Sequence, residues 1–204
     1  SKAGVAQDPS MLEFQEIKPN IKSLELSPIK EKYVTISIQS TSQCKYWNHP
    51  TGWDEVLDYC KKKGYKTVSV DKHPKFGVKN FKNKIPKTDY NYNDKPLNEV
   101  MSIIKGADFH LGIGSGLSWV AWALNTPVVL ITSFSKPYCE FKTNCIRIYN
   151  DTPTSGYFNY YRMDPSNWNW YPYKEINTLE DWYSVENITP EQVINKIKDY
   201  LKLN

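Results

Sequence analysis

Residues 108–135, DFHLGIGSGLSWVAWALNTPVVLITSFS, constrain the fold more than any other stretch of this chain. The pattern predicts a short apolar strand from Phe109 to Ile113, a turn at Gly114-Ser115-Gly116, an apolar helix from about Leu117 to Leu124, and a buried strand from Pro127 to Ile131. A strand that breaks at glycines and opens directly into a helix presents unpaired main-chain N–H groups at the positive end of the helix dipole. Phosphate and pyrophosphate groups bind at such junctions in α/β proteins. The segment therefore points to a nucleotide-like ligand without specifying a reaction.

The same alternation extends on both sides. Tyr33 to Gln39 (YVTISIQ) is β-branched and alternating, as a strand requires. After a polar, aromatic loop, Trp53, Val56, Leu57 and Cys60 fall on one face of a helix that ends at Gly64. Lys66 to Asp71 is the next strand, parallel to the first through a βαβ crossover. Residues 72–93 show little pattern. Beyond them Asp94 is a candidate cap for a helix whose apolar face is Leu97, Val100, Met101 and Ile104. Cys145 to Ile148 reads as an edge strand. Thr189, Pro190 and Gln192 form a capping arrangement ahead of a closing helix that buries Val193, Ile194, Ile197 and Leu201.

Strands and helices alternating over residues 33–149 define the fold class as α/β, a doubly wound, mostly parallel Rossmann-like sheet. An irregular aromatic segment (residues 150–187) and the closing helix complete it. Residues 1–30 read as a tag, linker or extended arm, and 31–204 as the Rossmann-like domain. Ligands of such sheets sit beyond the carboxyl ends of the strands. The loops 40–52, 71–77 and 112–117 should converge there.

Composition narrows the function. The chain has 204 residues, 40% hydrophobic and 24% charged, with a net charge of +4, as expected of an ordinary soluble globular protein. It has no arginine-rich stripe and no zinc-finger spacing, so no nucleic-acid partner is expected. No run is long enough for a membrane span. The cysteines Cys44, Cys60, Cys139 and Cys145 lack a C-x-x-C pair or metal-ligand spacing. They read as free thiols in a reducing, cytoplasmic compartment, with no metal site.

Several residues are candidates for chemistry, each with a structural alternative. Gly112-x-Gly114-x-Gly116 departs from the dinucleotide fingerprint, whose third glycine lies one position later. It is either a tight strand–helix connection or a phosphate cradle. Ser115 either caps the helix or donates to an anion. Lys45, between the first strand and its helix, is either a solvated lysine or a point charge that neutralises a leaving diphosphate. Asp71 either terminates its strand or faces a ribose hydroxyl. His49, His73 and His110 are scattered and support neither a metal site nor a triad, although His49 and His73 occupy loops at the site edge. No G-x-S-x-G elbow is present. The Trp/Tyr-rich run from Tyr157 to Tyr173 is either a sugar- or base-facing surface or a hydrophobic wedge.

Three segments carry a resemblance: QSTSQCKYWNHPTGWDEVLDYCKKKGYKTVSVD, KPLNEVMSIIKGADFHLGIGSGLSWVAWALNTPVVLITSFSKPYCEF and NITPEQVINKI. Together they resemble the C-terminal half of bacterial autotransporter heptosyltransferases, GT-B enzymes related to those of lipopolysaccharide assembly. The resemblance implies one half of a GT-B architecture that binds a nucleotide-diphosphate sugar as donor substrate, with no separate cofactor. It implies that Lys45 and the backbone at Ser115, Gly116 and Leu117 contact the diphosphate, that Gln43 and Gly114 border the donor, and that the Asp71 loop lies near the nucleoside. The implied reaction transfers a hexosyl, deoxyhexosyl or heptosyl group to a hydroxyl on a glycan or protein, Lys45 stabilising the leaving diphosphate and the base unknown. Two departures stand out. The autotransporter enzymes bind iron through cysteines after the last sheet strand, whereas this chain has none beyond Cys145, and Tyr171 and Ser184 stand where cysteines are expected. The stretch before Tyr33 is also too short for an acceptor-side domain, which implies a further domain of the same polypeptide or a reduced enzyme. Competing readings are a non-catalytic nucleotide-sugar or glycan-binding module and an unrelated α/β nucleotide-sugar enzyme such as a two-domain epimerase.

Overall fold

The computed structural model describes residues 16–21, 23–40, 45–76, 83–150 and 187–203. The elements run β1 (Tyr33–Ser37), α1 (Gly52–Lys62), β2 (Lys66–Ser69), β3 (Lys75–Phe76), β4 (Asn83–Lys84), β5 (Tyr90–Asn91), α2 (Leu97–Lys105), β6 (Phe109–Ile113), α3 (Gly116–Ala123), β7 (Val128–Ile131), β8 (Cys145–Ile148) and α4 (Pro190–Leu203). Six strands form one sheet in the order β5-β2-β1-β6-β7-β8, and every neighbouring pair is parallel. The short β3–β4 ribbon pairs antiparallel outside it. Numbered within the sheet alone, the order is 3-2-1-4-5-6, that of the doubly wound dinucleotide-binding folds. The order reverses between β1 and β6, where such sheets open a crevice for ligands.

Strand periodicity sorts the core into two layers. Val34, Ile36, Phe109, Leu111, Ile113, Val129 and Ile131 face one side and pack with Val56, Leu57 and Cys60 of α1 and Val193 and Ile197 of α4. Val68, Val128 and Leu130 face the other, with Val100, Ile103 and Ile104 of α2 and Ala121 and Trp122 of α3. Burial on both faces is why β7 reads as a continuous apolar run, while β1, β2 and β6 also carry buried polar residues.

The helix ends follow local chemistry. Gly64, at φ 86°, closes α1 in a Schellman arrangement: its N–H donates to Lys61 O at 2.9 Å and that of Tyr65 to Cys60 O at 3.1 Å. Thr189 and Gln192 form the expected reciprocal capping box: Thr189 N–H donates to Gln192 Oε1 (2.7 Å) and Gln192 N–H to Thr189 Oγ1 (3.2 Å). At α2 the expectation fails. Pro96 is the N-cap and no side chain caps the helix, while Asp94 adopts φ 56° and its N–H donates to Asp71 O. Leu97, expected in the core, is 58% exposed. It is the first helical residue, before α2 turns its apolar face to the sheet.

Residues 16–21 and 23–31 form no helix or strand and bond to residues further along the chain. Glu16 accepts hydrogen bonds from Lys142 N–H, Thr143 N–H and the Thr143 hydroxyl, Lys18 Nζ donates to Asn125 Oδ1, and Ser27 accepts from the Tyr33 hydroxyl. Residues 1–15 and the aromatic run 157–173 lie outside the described residues.

Candidate functional site

A small polar layer within the α2–α3 core layer sets the height of α3 above the sheet. His110 on β6 is fully buried, its Nδ1 3.0 Å from Thr35 Oγ1 and its Nε2 2.9 Å from Ser37 Oγ. Ser118 on α3 donates to Ile113 O at 2.7 Å. Gly112 lies among them: an added Cβ would come within 2.4 Å of Ser118 Oγ and 2.8 Å of His110 Nε2. The missing side chain lets α3 descend onto the ends of β1 and β6.

At that switch point lies a cavity of about 580 Å³. Its lining draws on Gln39 and Lys45 after β1, Asp71 and His73 after β2, and Gly114 to Leu117 after β6. The three loops expected to converge do so, and they face the N-terminus of α3.

The N-terminus of α3 is open. Ser115 is its N-cap in extended conformation, yet its side chain makes no capping bond, and Ser115 Oγ is buried without a hydrogen-bond partner. A buried hydroxyl left in that condition is costly unless something else occupies the space. The first N–H groups of the helix have no intrahelical acceptor. Gly116 is exposed, and a Cβ built on it meets nothing within 4 Å. The first amides of α3 and the buried hydroxyl beside them thus border the cavity at the positive end of the helix.

Lys45 reaches the cavity because its loop is anchored from beneath. Trp47 is 1% exposed and donates from Nε1 to Ile188 O at 2.8 Å; Trp53 Nε1 donates to Trp47 O at 3.1 Å, and the Tyr46 hydroxyl to Ser40 O at 2.9 Å. The aromatics of the KYWN loop are structural pins that hold the half-buried lysine between them and the cavity. Lys45 Nζ lies 5.7 Å from the Phe134 ring centre. Gln43 lies outside the described residues.

Asp71 is 1% exposed, and both carboxylate oxygens accept main-chain N–H groups, Oδ2 from Ile38 (2.8 Å) and Oδ1 from Gln39 (3.1 Å). It ties the end of β2 to the end of β1, which favours the strand-terminating alternative. Next to it, the Gln39 side chain accepts from His73 N–H and donates to His73 O, clasping the two loops. His73 borders the cavity; His49 does not line it. Lys72, Leu97, Trp119 and Val120 also line it, and sequence reasoning missed them. Trp119, 41% exposed, does not stand out within a mostly apolar helix pattern.

Burial pushes the Asp71 carboxyl up to about 6 against the pull of its two amide hydrogen bonds, and drives the His110 imidazole down to about 3. Between its unfolded value of 3.8 and about 6, folded Asp71 keeps a proton that the unfolded chain releases, so its contribution to stability falls as pH rises through that window. His110 acts oppositely. Between 6.5 and about 3 the unfolded chain takes up a proton that the folded chain refuses, so stability falls as pH drops. Each effect amounts to at most about 1.4 kcal/mol per pH unit, and the two nearly offset between about pH 4 and 6. Asp71→Asn should remove the offset. Urea unfolding from pH 4 to 7 is expected to show a steeper acid loss in the variant than in the wild type; equal slopes would contradict these assignments.

Comparison with known proteins gives the family. The sequence matches glycosyltransferase family 9 (heptosyltransferase) over residues 2–150. The chain belongs to that family. It is 35% identical over 187 residues to the autotransporter heptosyltransferase Aah of Escherichia coli, covering 90% of this chain and 47% of that protein. It is 38% identical over 175 residues to TibC of Escherichia coli O78:H11, covering 83% and 43%. The chain thus spans less than half the length of these relatives. A crystal structure of dodecameric iron-containing heptosyltransferase TibC in complex with ADP-D-beta-D-heptose superposes with a TM-score of 0.81 at 34% identity, over 92% of this chain and 49% of that one. Escherichia coli ADP-heptose lps heptosyltransferase II, at 16% identity and a TM-score of 0.58, covers 85% of this chain and 47% of its own, and shares the fold.

TibC is an iron-containing protein. In this family 9 chain no group of three or more His, Cys, Asp or Glu side chains among the described residues fits a metal ion. The sequence has no cysteine beyond Cys145, and Tyr171 and Ser184 lie outside the described residues. Among the described residues, the side chains present do not fit an iron centre.

Proposed function

We propose that this chain is the donor-binding part of a glycosyltransferase, holding the diphosphate of a nucleotide sugar at the N-terminus of α3 while the sugar passes to an acceptor hydroxyl on a glycan or protein. The observation that carries the reading is the unpartnered, buried Ser115 hydroxyl beside the open N-terminus of α3 and the exposed Gly116, in a cavity that also receives Lys45. The ADP-heptose held by TibC supports a nucleotide-diphosphate donor, with heptose as the first sugar to test. As the glycosidic bond to the donor breaks, negative charge grows on the departing diphosphate. Amide dipoles and an ammonium already in place stabilise that charge without reorganising, and the step itself asks for no bound metal. Leu97, Trp119 and Val120 offer an apolar wall for the base or sugar ring. A second domain of the same polypeptide would supply the acceptor site and the base, with residues 31–204 as the donor unit and the preceding arm leading into it. Among the described residues no helix is long and apolar enough to cross a membrane, and a cytoplasmic site of action, where nucleotide sugars are made, fits the reading.

A second reading is a non-catalytic nucleotide-sugar module. One relative favours it: the inactive autotransporter heptosyltransferase BimC of Burkholderia thailandensis is 34% identical over 131 residues, 63% of this chain and 31% of that protein. Both readings predict binding. Calorimetry with ADP, GDP and UDP should find at least one ligand, with affinity reduced about tenfold or more in Lys45→Ala, the usual loss for a charge-assisted contact. Sugar transfer or donor hydrolysis separates enzyme from module, and binding of no nucleotide would overturn both.

A further inference from the structure

The glycine turn rests on a part-buried ion pair. Glu140, in the loop between β7 and β8, is paired through Oε2 with Nη1 of Arg147 on β8, and the two side chains are 8% and 15% exposed. Arg147 Nη2 also donates to Phe141 O at 2.8 Å. The other carboxylate oxygen, Oε1, accepts from Thr132 Oγ1 at 3.4 Å and lies directly against Gly114, where an added Cβ would come within 2.6 Å of it. A carboxylate is therefore seated against the backbone that forms the floor of the anion cavity. Left bare, a part-buried carboxylate in that place would repel any phosphate bound above it, through a medium that screens less than water.

We infer that Glu140 and Arg147 are positioning residues for the donor site: the carboxylate of Glu140 seats the Gly114 turn, and Arg147 cancels its charge so that the turn can accept a diphosphate. This rests on the donor-site reading above. It assigns the two residues opposite electrostatic signs, whereas a merely structural pair would give the same sign for both. Removing Arg147 uncovers a negative charge beside the anion. Removing the charge of Glu140 leaves a guanidinium nearby, which attracts one.

The test is ADP binding to the purified chain by calorimetry for the wild type, Arg147→Met, Glu140→Gln and the double variant. Arg147→Met is expected to weaken ADP binding about tenfold, the scale of one uncompensated charge at intermediate screening. Glu140→Gln should bind as tightly as the wild type or more tightly, and the double variant should recover to within about threefold of it. If Arg147→Met does not fold, Glu140→Gln carries the test, and weaker binding by it overturns the inference. Wild-type binding with both single variants weakened alike, or with neither changed, also overturns it while sparing the donor site. Failure of the wild-type chain to bind ADP, GDP or UDP overturns the donor-site reading, and this inference with it.

Discussion

Gly116→Leu is expected to lose nucleoside diphosphate affinity by tenfold or more while the fold keeps its stability. The two halves of that result have separate causes. A Cβ at position 116 meets no atom within 4 Å, the residue is exposed, and no left-handed φ holds the site for glycine. Giving the first helical position a good helix former removes backbone freedom from the unfolded chain, which stabilises by about 0.5–1 kcal/mol where the conformation is compatible. The same side chain projects over amides assigned to the diphosphate and excludes the ligand from hydrogen bonds worth about 1.5–3 kcal/mol each when charged. Thermal unfolding and calorimetry on one preparation check both halves. Unchanged affinity would place the anion elsewhere, and a large loss of stability would contradict the open space at this position.

Gly112→Ala, four residues earlier in the same motif, should do the reverse and strike at the fold. Its Cβ would come within 2.4 Å of Ser118 Oγ, 2.8 Å of His110 Nε2 and 3.0 Å of Ser37 Oγ. Those atoms have little room to retreat. Ser118 is tied to Ile113 O, and His110 is held between two strand hydroxyls. Either α3 lifts away from the sheet or a buried hydrogen bond breaks, and overpacking of this kind costs about 1–3 kcal/mol, with a further 1–3 kcal/mol for an orphaned polar group. Urea unfolding should show a loss of about 3 kcal/mol. A variant as stable as the wild type would mean that α3 does not descend onto β6 as described.

The contrast between these glycines marks how far the sequence could be read. G-x-G-x-G is one pattern on paper, but its three members serve different ends: Gly112 admits α3, Gly114 makes room for the Glu140 carboxylate, and Gly116 leaves space that no protein atom fills. Periodicity found β1, β2, β6, β7, α1 and α4 because each buries an apolar set at period 2 or 3.6, and the parallel order followed from alternating strands and helices. It missed β5, whose two residues pair with β2 through main-chain bonds that leave no side-chain pattern. It misplaced the start of α2 because Pro96 fixes that turn by its own ring while Asp94 bends away. The convergence of three loops was legible from topology alone. What each loop residue does there was not, because the roles of Asp71 and Trp47 depend on partners 32 or 33 and 141 residues away along the chain. Glu140 and Arg147 gave no signal at all: a charged pair seven residues apart reads as surface until the fold buries it.

One measurement bears most directly on the donor site: a crystal structure of the chain grown with ADP. A phosphate group is expected at the N-terminus of α3, about 3 Å from the Gly116 and Leu117 amides and from Ser115 Oγ, with the Lys45 ammonium turned toward it. ADP bound elsewhere, or Lys45 directed away from a phosphate that leaves Ser115 Oγ without a partner, would contradict it.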